Sequence, residues 1–175
     1  RWTEADQAAL QAALDHAAAD RQKLGEVFYF PGIAGPGLMG IIGEVGLEAF
    51  SYYLADCPDL IPELLECNTR RAEASARHYP PEHGIEAGFL GDDIAFHSGT
   101  LLSPAWMREH YLPRLRRCID AWHGRGIGVL FHSDGNLNPI LDDLVDAFCQ
   151  GVIWLQNQVH GTAPALQCHP VAMDI

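Results

Sequence analysis

The chain has 175 residues, enough to enclose one sizeable core. Its composition, 48% hydrophobic and 19% charged, is that of a globular domain, and a net charge of −12 with only 11 Lys and Arg argues against a surface built to neutralise nucleic-acid phosphates. No apolar run approaches the ~18 residues of a membrane-spanning helix and no secretory leader opens the chain, so a cytoplasmic protein with its five cysteines reduced is expected.

Thr3 caps a helix over residues 3–24, with Asp6 in the capping-box position and Leu10, Leu14, Ala17, Ala18 and Leu24 as its apolar stripe. Val27-Phe28-Tyr29-Phe30 reads as a buried strand, ended by Pro31-Gly32, and Tyr29 and Phe30 are expected in the core. The Gly-rich loop from Gly32 to Gly40 lacks the Lys and spacing of a phosphate loop, so flexibility is its expected role. One helix is predicted from about Gly43 to Leu54. A second starts at Asp56-Cys57-Pro58, carries a stripe of Leu60, Ile61, Leu64, Leu65, Ala72 and Ala76, and is ended by Pro80-Pro81.

Ile85 to Leu90 is the next strand, closing on Gly91-Asp92-Asp93. Ser103-Pro104 opens a helix that runs to about His123, with Met107, Tyr111, Leu115, Ile119 and Trp122 inward and Pro113 expected to kink or split it. Its basic cluster, Arg114, Arg116 and Arg117, reads as a solvated face. Ile127 to Phe131 is the clearest strand and ends in His132-Ser133-Asp134-Gly135-Asn136. Pro139 opens a helix to about Ala147, after which both Gly151 to Gln156 and Ala165 to Cys168 fit a further strand.

Alternating strands and helices imply parallel strands with crossover helices. Two arrangements satisfy this, a doubly wound open sheet and a (β/α)8 barrel. No GxGxxG follows a strand. A full barrel takes roughly 250 residues, so four strands here are about half of one.

In a barrel, chemistry sits at the C-terminal ends of the strands. Two polar clusters fall there, Asp92-Asp93 and His132-Ser133-Asp134. His132 and Asp134 lie two residues apart in an extended segment, so imidazole and carboxylate point the same way and converge, as a metal or substrate site requires. The plainer alternative makes His132 a partner of nearby backbone and Asp134 the start of an Asp-Gly turn. Asp92 and Asp93 point to opposite sides and are therefore not a paired acid and base. One of them is expected to face the mouth, the alternative being a cap or turn carboxylate. His97 lies in the same loop, and Ser103 reads as a helix cap. His16, His78, His83, His110, His123 and His160 are scattered and read as surface or packing residues.

Gly91-Asp92-Asp93-Ile94, Leu102-Ser103-Pro104, Tyr111-Leu112-Pro113-Arg114-Leu115 and His132-Ser133-Asp134-Gly135-Asn136 occur in an order that resembles the uroporphyrinogen decarboxylase superfamily. The likeness extends more weakly back to the helix from Asp56 to Ala76 and forward to Ala172-Met173-Asp174-Ile175. It implies a partial (β/α)8 barrel of about four β/α units, with 1–175 as a single incomplete domain. Arg1 and Ile175 then read as cut ends of an internal piece, which alone would expose sheet edges and aggregate or partly unfold. Residues 148–162 stand as an insertion before the strand expected at Ala165-Leu166-Gln167. The superfamily holds tetrapyrrole decarboxylases of porphyrin biosynthesis and corrinoid-linked methyltransferases. The essential aspartate of the decarboxylases has no counterpart here.

The resemblance implies a catalytic set of Asp92, Asp93, His132 and Asp134, with His97, Ser133 and Asn136 in substrate contact. In the methyltransferases the motif is His-x-Cys and holds zinc, which activates a substrate thiol. Asp134 stands here where that motif has Cys, so His132 and Asp134 are the implied ligands and a third lies outside the chain. The implied partners are a small-molecule substrate and a corrinoid, free or carried on a small protein. Cobalamin-linked methyl transfer is therefore the leading reading. A lyase of the decarboxylase type is the alternative, with a non-catalytic barrel-derived binding protein as the third.

Overall fold

The computed structural model describes residues 2–25, 30–80 and 85–147. The chain is a mixed α/β protein, mostly helical, with a small parallel sheet. Four helices come first: α1 (Glu4–Leu24), α2 (Leu38–Val45), α3 (Leu47–Asp56) and α4 (Leu60–His78). Strand β1 (Ala87–Gly91) is next, then a small hairpin of β2 (Ala95–Phe96) and β3 (Gly99–Thr100). A single turn, α5 (Pro104–Trp106), leads through a π-helical turn (Met107–Tyr111) into α6 (Leu112–His123). Strand β4 (Gly128–His132), a 3₁₀ turn (Asn138–Ile140) and α7 (Leu141–Ala147) complete it. The expected strand at 27–30 lies outside the described residues except for Phe30, and so do the 148–162 segment and both candidates for a last strand. No helix among the described residues is long and apolar enough to cross a membrane.

The start of α1 is as the sequence predicts. Thr3 Oγ1 accepts from the Asp6 amide, and Asp6 accepts in return from the Thr3 amide. Its stripe is narrower than predicted: Leu14 and Ala17 are buried, whereas Ala18 is exposed and Leu24 is 49% exposed. The single helix predicted from Gly43 to Leu54 is two helices. Gly46 sits between them at φ +83°, a conformation that favours glycine, and breaks the helical hydrogen-bond pattern there. Helix α2 also begins at Leu38, inside the segment read as a loop. No local side chain caps it; the cap comes from Asp92, which is remote in sequence.

Strands β1 and β4 pair in parallel, from Ala87 opposite Gly128 to Gly91 opposite His132. On the other edge of β1 the chain at Gly32 bridges Phe89, also in parallel: the Ile33 amide donates to Phe89 O at 2.8 Å and the Phe89 amide to Pro31 O at 2.8 Å. Three extended segments thus lie side by side in chain order, with α4 and α6 as the intervening helices. A side chain at Gly88 would place its Cβ 2.4 Å from Ile33 Cγ2, so glycine is required for this approach.

Leu90, Val129 and Phe131 join the buried core with Ile61 and Leu65 of α4 and Leu115 and Ile119 of α6. The alternate residues Phe89, Leu130 and His132 are only half-buried, which sets them on the other face of the sheet. Phe30, expected in the core, is 40% exposed; it stacks on Phe89 with ring centroids 6.2 Å apart.

Ser103 caps the α5 turn by accepting from the Trp106 amide, and Pro104 takes the first helical position. The break expected at Pro113 is the π-helical turn before it, after which Pro113 enters the first turn of α6, where its missing N–H costs nothing. Two of the three arginines read as a solvated face, Arg114 and Arg117, instead clamp α6 to α4. Arg117 donates to both carboxylate oxygens of Glu66, at 2.8 and 3.1 Å, and of Glu73, at 2.9 and 3.1 Å. Arg114 Nε lies 3.2 Å from Glu66, while Arg116 donates to Asp146 O and pairs with Asp120.

The Arg117 guanidinium holds the Glu66 carboxyl below its ordinary value near 4.5, against the opposing effect of burial. A depressed carboxyl stabilises the fold above its unfolded value and loses that contribution as pH falls through the folded one. Arg117 is 40% exposed, so the network is worth about 0.5–1 kcal/mol, or ~1–4 °C in Tm. Arg117→Ala is therefore expected to lower Tm by that amount at pH 7. The gap between variant and wild type should close below about pH 4.5, and thermal melts across pH check it; a gap independent of pH would contradict the clamp.

Candidate functional site

The parallel ladder carries two strand ends to the same level. Gly91 pairs with His132, and the Asp92 amide extends the pairing by donating to His132 O at 3.0 Å. The residues just beyond each strand therefore face one another across one strand spacing. Two further bonds lock the two ends together and a third, from Ser133 to Asp134, braces the β4 end. The Asp134 amide donates to Asp93 Oδ1 at 2.9 Å, the Ile94 amide to Ser133 Oγ at 3.0 Å, and the Ser133 hydroxyl to Asp134 O at 3.1 Å.

This juxtaposition gathers Asp93, His132 and Asp134. His132 Nε2 lies 3.9 Å from Asp93 Oδ1 and 3.7 Å from Asp134 Oδ1, and one donor atom from each residue falls within 4.8 Å of the others. The imidazole stacks on Phe89 at 5.7 Å between centroids, which fixes the plane in which its nitrogens lie. Separations of 3.7–3.9 Å are too long for hydrogen bonds. They are slightly wider than the about 3.3–3.6 Å that separates ligands bonded to one tetrahedral ion at ~2.0–2.2 Å. The imidazole thus lies within a few tenths of an ångström of ligand spacing to each carboxylate, and all three donor atoms fall within 4.8 Å of one another, so a divalent cation would have to draw them closer together. One imidazole and two carboxylates make a nitrogen–oxygen site, and none of the described cysteines adds a thiolate. Cys57 and Cys67 are exposed helix-end and helix residues, and burial pushes the Cys118 thiol, between α4 and α6, up to about 12.

The structure distributes the other sequence candidates differently. Asp92 is turned away from the cluster. Its carboxylate is 3% exposed and accepts from the Leu38 amide at 2.9 Å, the Met39 amide at 2.8 Å and the Tyr111 hydroxyl at 2.8 Å. Burial raises the Asp92 pKa, opposed by those three donors, and burial beside Asp92 raises that of Tyr111 strongly. Asp92, expected in the catalytic set, sits in the interior as the cap of α2. Ser133 is fully buried and joins the two strand ends, and Asn136 Oδ1 accepts from the Asn138 amide to start the 3₁₀ turn; both side chains serve the loop that carries Asp134. His97 is exposed in the turn between β2 and β3.

Asp93 is the residue whose part in the cluster the sequence left open. Its carboxylate points out because that of Asp92 points in, and only the strand register shows that it then lies beside His132.

No protein-family model matches the sequence, and no curated protein matches it. The fold is mixed α/β, and a solved methyltransferase is a structural neighbour. That neighbour, a methyltransferase from Methanosarcina mazei, is 25% identical with a TM-score of 0.61, over 77% of this chain and 38% of its own. This chain therefore spans well under half of the neighbour's length.

Gly135 lets the site loop close. It holds φ +94°, and a Cβ there would lie 2.5 Å from Ala95 O and 2.8 Å from Phe96 O. The loop cannot retreat without breaking the 2.7 Å bond from the Asn136 amide to Phe96 O. Gly135→Ala is expected to destabilise the protein by about 1–3 kcal/mol. Chemical denaturation measures this, and an unchanged midpoint would mean that the loop does not pack on the hairpin.

Proposed function

We propose that the chain forms part of a (β/α)8-barrel enzyme of the methyltransferase-like branch of the uroporphyrinogen decarboxylase superfamily. In this reading Asp93, His132 and Asp134 hold a divalent metal, zinc in the first instance, at the mouth of the barrel. The observation that carries it is the convergence of an imidazole and two carboxylates at the C-terminal ends of neighbouring parallel strands. The parallel order of the 31–33 segment, β1 and β4, with α4 and α6 packed side by side, supports the barrel. The methyltransferase neighbour supports the class of reaction.

A metal bound there would supply Lewis acidity that lowers the pKa of a substrate thiol, readying its sulfur to take a methyl group from a methylated corrinoid. The protein's own residues set this up. Phe89 and the strand end orient the His132 ring. The Asp134 amide holds Asp93 Oδ1. Two carboxylates give the metal less electron density than thiolates but keep the site close to neutral overall. Holding several tetrapyrrole carboxylates would call for cations at the mouth. Arg70, Arg108, Arg114, Arg116 and Arg117 instead pair with carboxylates on the helices.

The full-length protein that contains this chain is expected to bind about one zinc at the site, with His132→Ala or Asp93→Ala weakening binding by at least ~10-fold. Zinc-loaded protein is expected to transfer the methyl group of methylcobalamin to a thiol about 10²-fold faster than His132→Ala. Metal analysis and the loss of the methyl–cobalt absorbance check the two parts. Equal zinc content in wild type and His132→Ala would overturn the metal site, and equal rates would overturn methyl transfer there.

A further inference from the structure

Asp92 and Tyr111 form a buried polar pair that the proposed chemistry does not use. Tyr111 is fully buried and Asp92 nearly so. Three elements distant in the chain meet on this one carboxylate: the end of β1, the first turn of α2 and the π-helical turn before α6. A π turn inserts one residue into the helical repeat and so rotates the faces of the helix on either side of it. Here it delivers Tyr111 O–H to Asp92 Oδ2 at 2.8 Å.

A lone helix cap needs one acceptor and one or two amides. Asp92 exceeds this. Both its oxygens are committed, each to a different amide of the α2 turn, and a third donor arrives from another layer. The backbone from 92 to 94 is equally constrained. The Asp92 amide is tied to His132 O, Asp93 Oδ1 accepts from the Asp134 amide, and the Ile94 amide donates to Ser133 Oγ. Asp92 is anchored inward and Asp93 points outward because successive side chains of an extended segment alternate. The inner anchor therefore sets how far Asp93 reaches toward His132.

We propose that Asp92, locked by Tyr111 and the α2 amides, is a positioning residue that fixes the Asp93 carboxylate beside His132 and Asp134. The metal consequence rests on the reading of Asp93, His132 and Asp134 as a metal site; the geometric one does not. Removing an acceptor from the latch lets residues 92–94 relax inward or outward, which spreads the donor atoms beyond the span one ion can bridge. Asp92→Asn keeps size and shape but presents an N–H₂ to at least one of three donors. Tyr111→Phe removes one donor and leaves the cap of α2, and so serves where Asp92→Asn fails to fold.

The test is Co²⁺ titration of the protein and both variants, alongside the Asp134 backbone amide resonance in NMR spectra, which reports its bond to Asp93 without any metal. Asp92→Asn is expected to weaken Co²⁺ binding by about 10-fold and Tyr111→Phe by about 3-fold. In both, the Asp134 amide should move toward its position in Asp93→Ala. Variants that melt earlier but bind Co²⁺ as the wild type does and leave that amide unmoved would show Asp92 to be a cap of α2 only, and overturn the proposal. Absence of Co²⁺ binding by the wild type would remove the metal reading, and the Asp134 amide would still decide the positioning claim.

Discussion

The register of β1 against β4 is the constraint on which the rest of the site depends. Gly91 opposite His132 is one rung of a parallel ladder, yet it determines which residues leave the sheet together. A slip of one residue would reverse the faces. Asp92 would then point to the mouth, and Asp93 into the core with no donors arranged to meet it. The register is itself set by packing. Leu90, Val129 and Phe131 face the helical layer, and the glycines at 88 and 91 allow close approach by Ile33 and the Phe89 ring. Hydrophobic burial fixes the face and hydrogen bonding fixes the rung. The polar cluster is the result of both.

The contrast between Asp92 and Asp93 shows how environment assigns roles to like side chains. One carboxylate is removed from water and made tolerable by three donors, two of them at a helix N-terminus where a negative charge is favoured. The other stays half-exposed beside an imidazole and a second carboxylate. An unmet buried carboxylate would cost several kcal/mol, roughly the whole margin of stability of a domain, so Asp92 keeps its donors close. The helical layer uses charge differently. Its arginines and glutamates are partly exposed and tie α6 to α4 over a modest energy, whereas the apolar residues beneath supply most of the cohesion.

Much of this was legible in the sequence. The capping box at Thr3 and Asp6, the Ser103-Pro104 start, the two strands and the inward stripe of Met107, Tyr111, Leu115, Ile119 and Trp122 are local patterns, and each appears where the residues put it. The polar groups at the strand ends were legible too. The features that escaped the sequence are non-local. Helix α2 begins where it does because Asp92, 54 residues away, caps it. Arg114 and Arg117 are partnered by glutamates on another helix. Asp93 joins the site only through the register, and Ser133 is drawn into the loop by the Ile94 amide, 39 residues away.

The central claim is that Asp93, His132 and Asp134 act as one metal site. Anomalous diffraction from crystals grown with Zn²⁺, recorded on both sides of the zinc edge, tests it most directly. The account predicts a peak about 2.0–2.2 Å from His132 Nε2 and from a carboxylate oxygen of both Asp93 and Asp134. A site empty at saturating zinc, or an ion held by His132 with Asp93 still bonded only to the Asp134 amide, would contradict it.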